Sequence, residues 1–111
     1  MKKLLLNFKY SINGLKIVFQ EHSFILEILI GFILIPYIAI SELNFLFKLL
    51  IIFNYFLLLA FEIMNTAIEK LCDKITIELD PDIKKIKDFE SASVFIVLII
   101  LIILVIITFF S

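Results

Sequence analysis

Ser91 to Ser111 is a run of 21 residues without a charge, and no other feature limits the fold of this chain so strongly. A helix crosses a bilayer with about 20 predominantly apolar residues, because each adds about 1.5 Å and the hydrocarbon core is about 30 Å thick. Two further stretches have the same character. Residues 28–40 are uncharged, and extension back to Phe24 gives a segment of spanning length that contains Glu27 and ends at Ser41-Glu42. Leu43 to Phe61 holds only Lys48, whose long stem can carry its charge to the headgroups. The periodicity of this second run continues past Phe61, so one long helix leaves the membrane on the far side. Asp80-Pro81-Asp82 has the form of a helix start, with Asp80 as N-cap and Pro81 in the first helical position. The expectation is an all-α integral membrane protein with helices over about 24–41, 43–73 and 81–111.

Composition closes the other routes. With 63% of 111 residues hydrophobic, a chain of this size has too little interior to hide its Ile, Leu and Phe side chains from water, whereas a bilayer accepts them on the outside. A soluble globular monomer is excluded, and there is room for a single domain, 1–111. The lone cysteine, Cys72, cannot form an intrachain disulfide. All ten basic residues are lysines and the net charge is −1, so the chain lacks the arginine-rich surface of a nucleic-acid binder.

The first 20 residues do not read as a cleavable signal, because Asn7 and Lys9 interrupt the Leu4-Leu5-Leu6 run. Leu5, Phe8, Ile12, Leu15 and Phe19 recur at spacings of three and four, with Lys9, Asn13, Lys16 and Gln20 on another face. This is the pattern of an amphipathic helix lying on a membrane surface, expected over 1–20. Nine of the ten lysines flank the spans on one side, Lys48 being the exception. By the positive-inside rule that side, with the N-terminus, is cytoplasmic.

The second span carries polar residues where lipid would reject them. With Glu62 set at 0° and about 100° per residue, Asn65 falls at about 300°, Glu69 at about 340° and Asp73 at about 20°, stacked along about 16 Å of one face. Carboxylates are costly in hydrocarbon, so the stripe must face protein, water or a ligand. Polar contacts between the helices of an oligomer are one account of it. Another is a divalent cation, since three acids on one face repel without positive charge among them. Carboxylate oxygens without Cys or His suit Mg²⁺, which takes one or two protein carboxylates and completes its shell with water and phosphate. Glu21 and Asp88 lie at the same membrane boundary, and Lys87 offers a cation to a phosphate. Together these residues suggest Mg²⁺-dependent phosphoryl transfer at a membrane surface, where catalysis rests on positioning and charge neutralisation. Gly14 and Gly31 are the sole glycines, too few for a Gly-rich phosphate loop. ATP would therefore be held by helices, plausibly between subunits.

The residues also match a known pattern. Glu62-Ile63-Met64-Asn65-Thr66-Ala67-Ile68-Glu69, followed by Asp73-Lys74, closely resembles the signature E-hydrophobic-hydrophobic-N-[ST]-A-I-E-x-x-x-D of the prokaryotic integral-membrane diacylglycerol kinases and their undecaprenol kinase relatives. Lys87-Asp88-Phe89-Glu90-Ser91-Ala92 resembles the family's K-D-x-G-S-A, and Glu21-His22-Ser23-Phe24-Ile25-Leu26-Glu27 its E-x-x-F-R-Q-E. With Tyr10-Ser11 and Gly14-Leu15, the likeness covers nearly the whole chain. It implies a homotrimer in the bacterial inner membrane, with active sites at the cytoplasmic interface between neighbouring subunits. It implies that Glu62 is the general base toward the hydroxyl of diacylglycerol and that Asn65 orients it. Glu21 and Glu69 would hold Mg²⁺ on the phosphates of ATP, and Asp73, Lys87, Asp88 and Tyr10 would help bind the nucleotide. Ser91 and Glu27 would lie near the lipid headgroup. Glu62 is also the acid deepest in the span, where desolvation favours base chemistry.

The chain departs from that pattern at Glu90, where the family has Gly, and at Ile25-Leu26, where it has Arg-Gln. Three residues after Lys87, Glu90 shares its helix face and is expected to pair with it. His22 has no partner for a metal site and reads as a boundary residue, and Cys72 reads as packing. Two further functions stay open: an undecaprenol kinase, against which Glu27 speaks because that branch more often reads E-R-N-F-x-x-H in this segment, and a small structural or proton-conducting membrane oligomer without enzymatic activity, in which Lys87-Asp88 has no role.

Overall fold

The computed structural model describes residues 1–76 and 78–110, which form four helices and no strand. They are α1 (Lys2–Val18), α2 (His22–Ile40), α3 (Phe45–Ile75) and α4 (Pro81–Thr108). The last three are long and apolar enough to cross a membrane, which makes this an all-α, multi-pass membrane protein. Ser111, the last residue of the expected third span, lies outside the described residues.

The helix ends follow local chemistry. Asp80 accepts hydrogen bonds from the Asp82 and Ile83 amides at 2.9 and 3.1 Å, and Pro81 occupies the first turn, where no amide donor is needed. Asn44 caps α3 through Leu46 N at 2.8 Å. At the end of α2, Ser41 Oγ donates to the Ile38 carbonyl at 2.7 Å. Between Phe45 and Phe61 only Lys48 is charged, and the helix continues past Glu62, so α3 runs 31 residues, about 46 Å.

α3 is the central element, packed chiefly on α4 and also on α2. Ile38 of α2 and Ile51 of α3 are wholly buried, joined in the core by Phe24, Tyr55, Leu58, Val97 and Leu101. Within the bilayer, polar groups must find partners inside the protein, and three cross-helix bonds meet that demand. Asn54 Nδ2 donates to the Val97 carbonyl at 3.3 Å, joining α3 to α4. Tyr55 Oη donates to the Glu27 carbonyl at 2.7 Å, joining α3 to α2. Tyr37 and Thr108 bond through their hydroxyls at 3.1 Å, joining α2 to α4. The Tyr55 ring reaches Glu27 by lying across Gly31, where a Cβ would stand 2.0 Å from its oxygen.

α1 buries only Val18. Its stripe of Leu5, Phe8, Ile12, Leu15 and Phe19 is exposed, as a helix in contact with a lipid surface requires.

Candidate active site

The stripe on α3 extends from the buried part of the bundle into water. Glu62 is 7% exposed and lies at the inner end of the apolar run, facing the first turns of α2. Ser23 Oγ donates to its Oε1 at 2.9 Å. One turn further along α2, the Glu27 carboxyl faces Glu62, within hydrogen-bonding reach of it. Glu27 Oε2 is buried without a hydrogen-bond partner among the described residues. Two carboxyl groups so placed in a medium of low dielectric need a proton, a donor or a cation between them.

The next turns carry the remaining acids outward. Asn65 Nδ2 donates to Glu69 Oε1 at 3.1 Å, so its amide fixes Glu69 and not Glu62, which the sequence resemblance implied it would orient. Its Oδ1 is buried and unpartnered among the described residues. Glu21, at the N-terminus of α2, pairs with Lys70 at 2.9 Å. Asp73 pairs with Lys87 of α4 at 2.7 Å. Thus Lys87 crosses to α3 instead of pairing with Glu90 on its own helix, as i, i+3 spacing had suggested.

Positive charge among these acids is already supplied by the chain. Glu21, Asp73 and Glu69 all act on the Lys70 ammonium, and Asp73 and Glu69 on that of Lys87. Both lysines lie beyond the apolar runs, on the water side. Hydrogen bonding to Glu21 holds Lys70 above the ordinary lysine range, and hydrogen bonding to Asp73 does the same for Lys87.

Three expected site residues are not gathered here. Asp88 bonds Lys84 one turn back on α4 at 2.7 Å, and both are largely exposed. Tyr10 is exposed on α1 beside Phe8, Lys9 and Asn13. Ser91 is exposed on α4. Cys72 is buried and forms no disulfide.

Among the described residues, no three His, Cys, Asp or Glu side chains stand close enough to cage a metal. Mg²⁺ does not demand such a cage: it binds through one or two carboxylates together with substrate phosphates and water. Glu21 and Glu69 both act on one ammonium, that of Lys70, so a cation between them is favoured, and their oxygens are the right donors. The residues present fit the ion.

Beside the acids, an apolar groove of about 470 Å³ runs between α2, α3 and α4, with Glu27 and Tyr55 at its wall and Leu34, Leu58, Leu101 and Ile102 along it. Its chemistry suits a hydrocarbon chain.

A sequence profile described as "Prokaryotic diacylglycerol kinase" matches residues 9–109. The chain belongs to the prokaryotic diacylglycerol kinase family. Membership places it among lipid kinases. It is 37% identical over 91 residues to a diacylglycerol kinase of Haemophilus influenzae, a match covering 81% of this chain and 77% of the relative. A diacylglycerol kinase of Pseudomonas aeruginosa is 31% identical over 99 residues, covering 88% and 80%. Both matches take in most of each kinase.

Sequence reasoning missed two residues of this diacylglycerol kinase family site. Lys70 falls about 80° from Glu62 on α3, at the flank of the stripe, and that flank position was the available signal. Ser23 gave none, because its contact depends on how α2 meets α3.

Proposed function

We propose that the chain transfers the γ-phosphoryl group of ATP to diacylglycerol, forming phosphatidic acid at the cytoplasmic face of the bacterial inner membrane, as a homotrimer with Mg²⁺ in its sites. The observation that carries this reading is the position of Glu62. A buried carboxylate ends the apolar run of α3, at the depth where a lipid's free hydroxyl emerges from the hydrocarbon, and the polar stripe leads from it toward water and nucleotide. Glu62 takes the hydroxyl proton as the lipid oxygen bonds to the γ-phosphorus, and the bond from that phosphorus to the β,γ-bridging oxygen breaks to release ADP. Asn65 holds Glu69 in place. Glu21 and Glu69 would hold Mg²⁺, which supplies charge neutralisation on the phosphates when bound. Lys87, kept near Asp73, and Asp88 serve the nucleotide with Tyr10, while Glu27 and Ser91 stand at the headgroup and the apolar groove accepts an acyl chain. The lysine asymmetry of the flanks supports the cytoplasmic orientation.

Purified protein reconstituted with MgATP and either diacylglycerol or undecaprenol tests the assignment. Phosphatidic acid is the expected product. Preference for undecaprenol would move the substrate, and no phosphoryl transfer to either lipid would overturn the reading in favour of a non-enzymatic oligomer. Glu62→Gln keeps the size of the side chain but cannot accept the proton, so turnover falls by about 10² to 10⁴-fold with the fold retained. Retention of more than about a tenth of the activity would remove Glu62 as base.

A further inference from the structure

Glu62 is buried, yet a side-chain donor on its carboxylate comes from a residue that is itself exposed. Ser23 lies in the first turn of α2, where a serine commonly serves the helix's own backbone. Here its hydroxyl instead crosses 39 positions of sequence to reach Glu62 Oε1. The N-cap position of α2 belongs to Glu21, whose side chain makes no capping bond because it is turned to Lys70. Ser23 therefore has no evident structural duty. Its side chain fills no core space, and truncation at Cβ would leave no cavity.

The bond has a definite effect on the carboxyl group it touches. A carboxylate with neither oxygen tied can rotate about its last torsion, which for glutamate is broad. A hydroxyl fixed on Oε1 restrains that freedom and leaves Oε2 as the oxygen it does not hold. We infer that Ser23 is a positioning residue for phosphoryl transfer: its hydroxyl holds Oε1 of Glu62 so that Oε2 is the oxygen that takes the proton of the lipid hydroxyl. The inference rests on Glu62 being the base. Ser23 acts through Glu62, and its contribution belongs to the step in which the lipid O–H bond breaks, an O–H bond forms on Oε2, the lipid oxygen joins phosphorus, and the bond from phosphorus to the β,γ-bridging oxygen breaks.

The separation of kcat from KM distinguishes this role from packing. Ser23→Ala, Ser23→Thr and Glu62→Gln are compared in bilayers with MgATP and diacylglycerol, with thermal unfolding of each variant measured alongside. A hydrogen bond to a charged group is among the stronger ones, and the freed carboxylate gains some basicity, so Ser23→Ala is expected to lower kcat roughly tenfold. KM for both substrates stays within about twofold, unfolding is unchanged, and Ser23→Thr, which keeps the hydroxyl, recovers most of the turnover. If Glu62→Gln is inactive while Ser23→Ala matches the unsubstituted protein, the inference fails and the base assignment stands. If Ser23→Thr fails to recover activity, the hydroxyl is not the acting group and the inference also fails. If Glu62→Gln is active, the base assignment itself falls, and Ser23 with it. Should Ser23→Ala not fold, Ser23→Cys, close in size and a weak donor, must show the same loss of kcat at constant KM.

Discussion

At the scale of single residues, the acids of α3 are governed by what supplies their positive charge. Lys70 lies between Glu21 and the stripe, so any divalent ion that comes to Glu21 must displace an ammonium at 2.9 Å. The pair is largely exposed and screened, so its loss is correspondingly modest. Lys70→Met is expected to tighten binding of Mn²⁺ alone by about two- to fivefold, read from the free-ion signal in a paramagnetic resonance titration. Unchanged affinity would mean that Glu21 and the ion do not meet. The same scale shows what could be read without coordinates. Glu62, Asn65, Glu69 and Asp73 share a face because one helix fixes their angles, and that is legible in spacing alone. Ser23 with Glu62, Glu21 with Lys70 and Lys87 with Asp73 each join different helices, and no local period encodes them. The Lys87–Glu90 pairing failed for that reason: an in-helix neighbour was visible, and a better one on α3 was not.

Among the elements, the contact of α2 with α3 depends on one position where a side chain is not tolerated. Tyr55 lies over Gly31 and donates to the Glu27 carbonyl, which ties the backbone beside the Glu27 carboxyl to the helix that carries Glu62. A methyl group at Gly31 meets the ring's Cζ at 2.4 Å as well as its oxygen, so removal of the hydroxyl alone gives no relief. Gly31→Ala is expected to cost about 1–3 kcal/mol of stability in detergent unfolding and to lower activity, since Glu27 moves with α2. Tyr55→Leu in the same chain offsets much of that loss, whereas Tyr55→Phe does not. Equal behaviour of Leu and Phe would show that α2 shifts to absorb the clash. The existence and order of the helices were legible in charge-free runs and in the Asp80-Pro81 start, because those depend on short stretches of chain. The Gly31–Tyr55 approach was not, since neither residue announces its partner.

For the whole molecule, the unfinished surfaces are the guide. Of the 28 residues of α4, only Val97, Leu101 and Thr108 are buried, and Asp88 turns to Lys84, away from the acids of α3. A site completed by a neighbouring copy, as proposed above, would account for both. Glu62→Gln and Asp88→Asn chains, each inactive alone, are expected to recover activity when mixed before reconstitution. If each site takes Glu62 from one subunit and Asp88 from the next, random assembly restores roughly a quarter of the sites. Absence of rescue, with mixed oligomers shown by differential tagging, would place each site within one subunit. The length of α3 has a last consequence. From Phe45, beside the outer cap, to Glu62 is about 26 Å of helix, against a hydrocarbon core of about 30 Å. The acid is hung from the surface beside the α2–α3 turn like a plumb weight whose line has fixed length, so the depth at which it meets the opposite headgroups depends on the thickness of the lipid around it. Thicker membranes draw it down into oil and thinner ones let it out into water, so this helix ties the working of the site to the membrane's own composition.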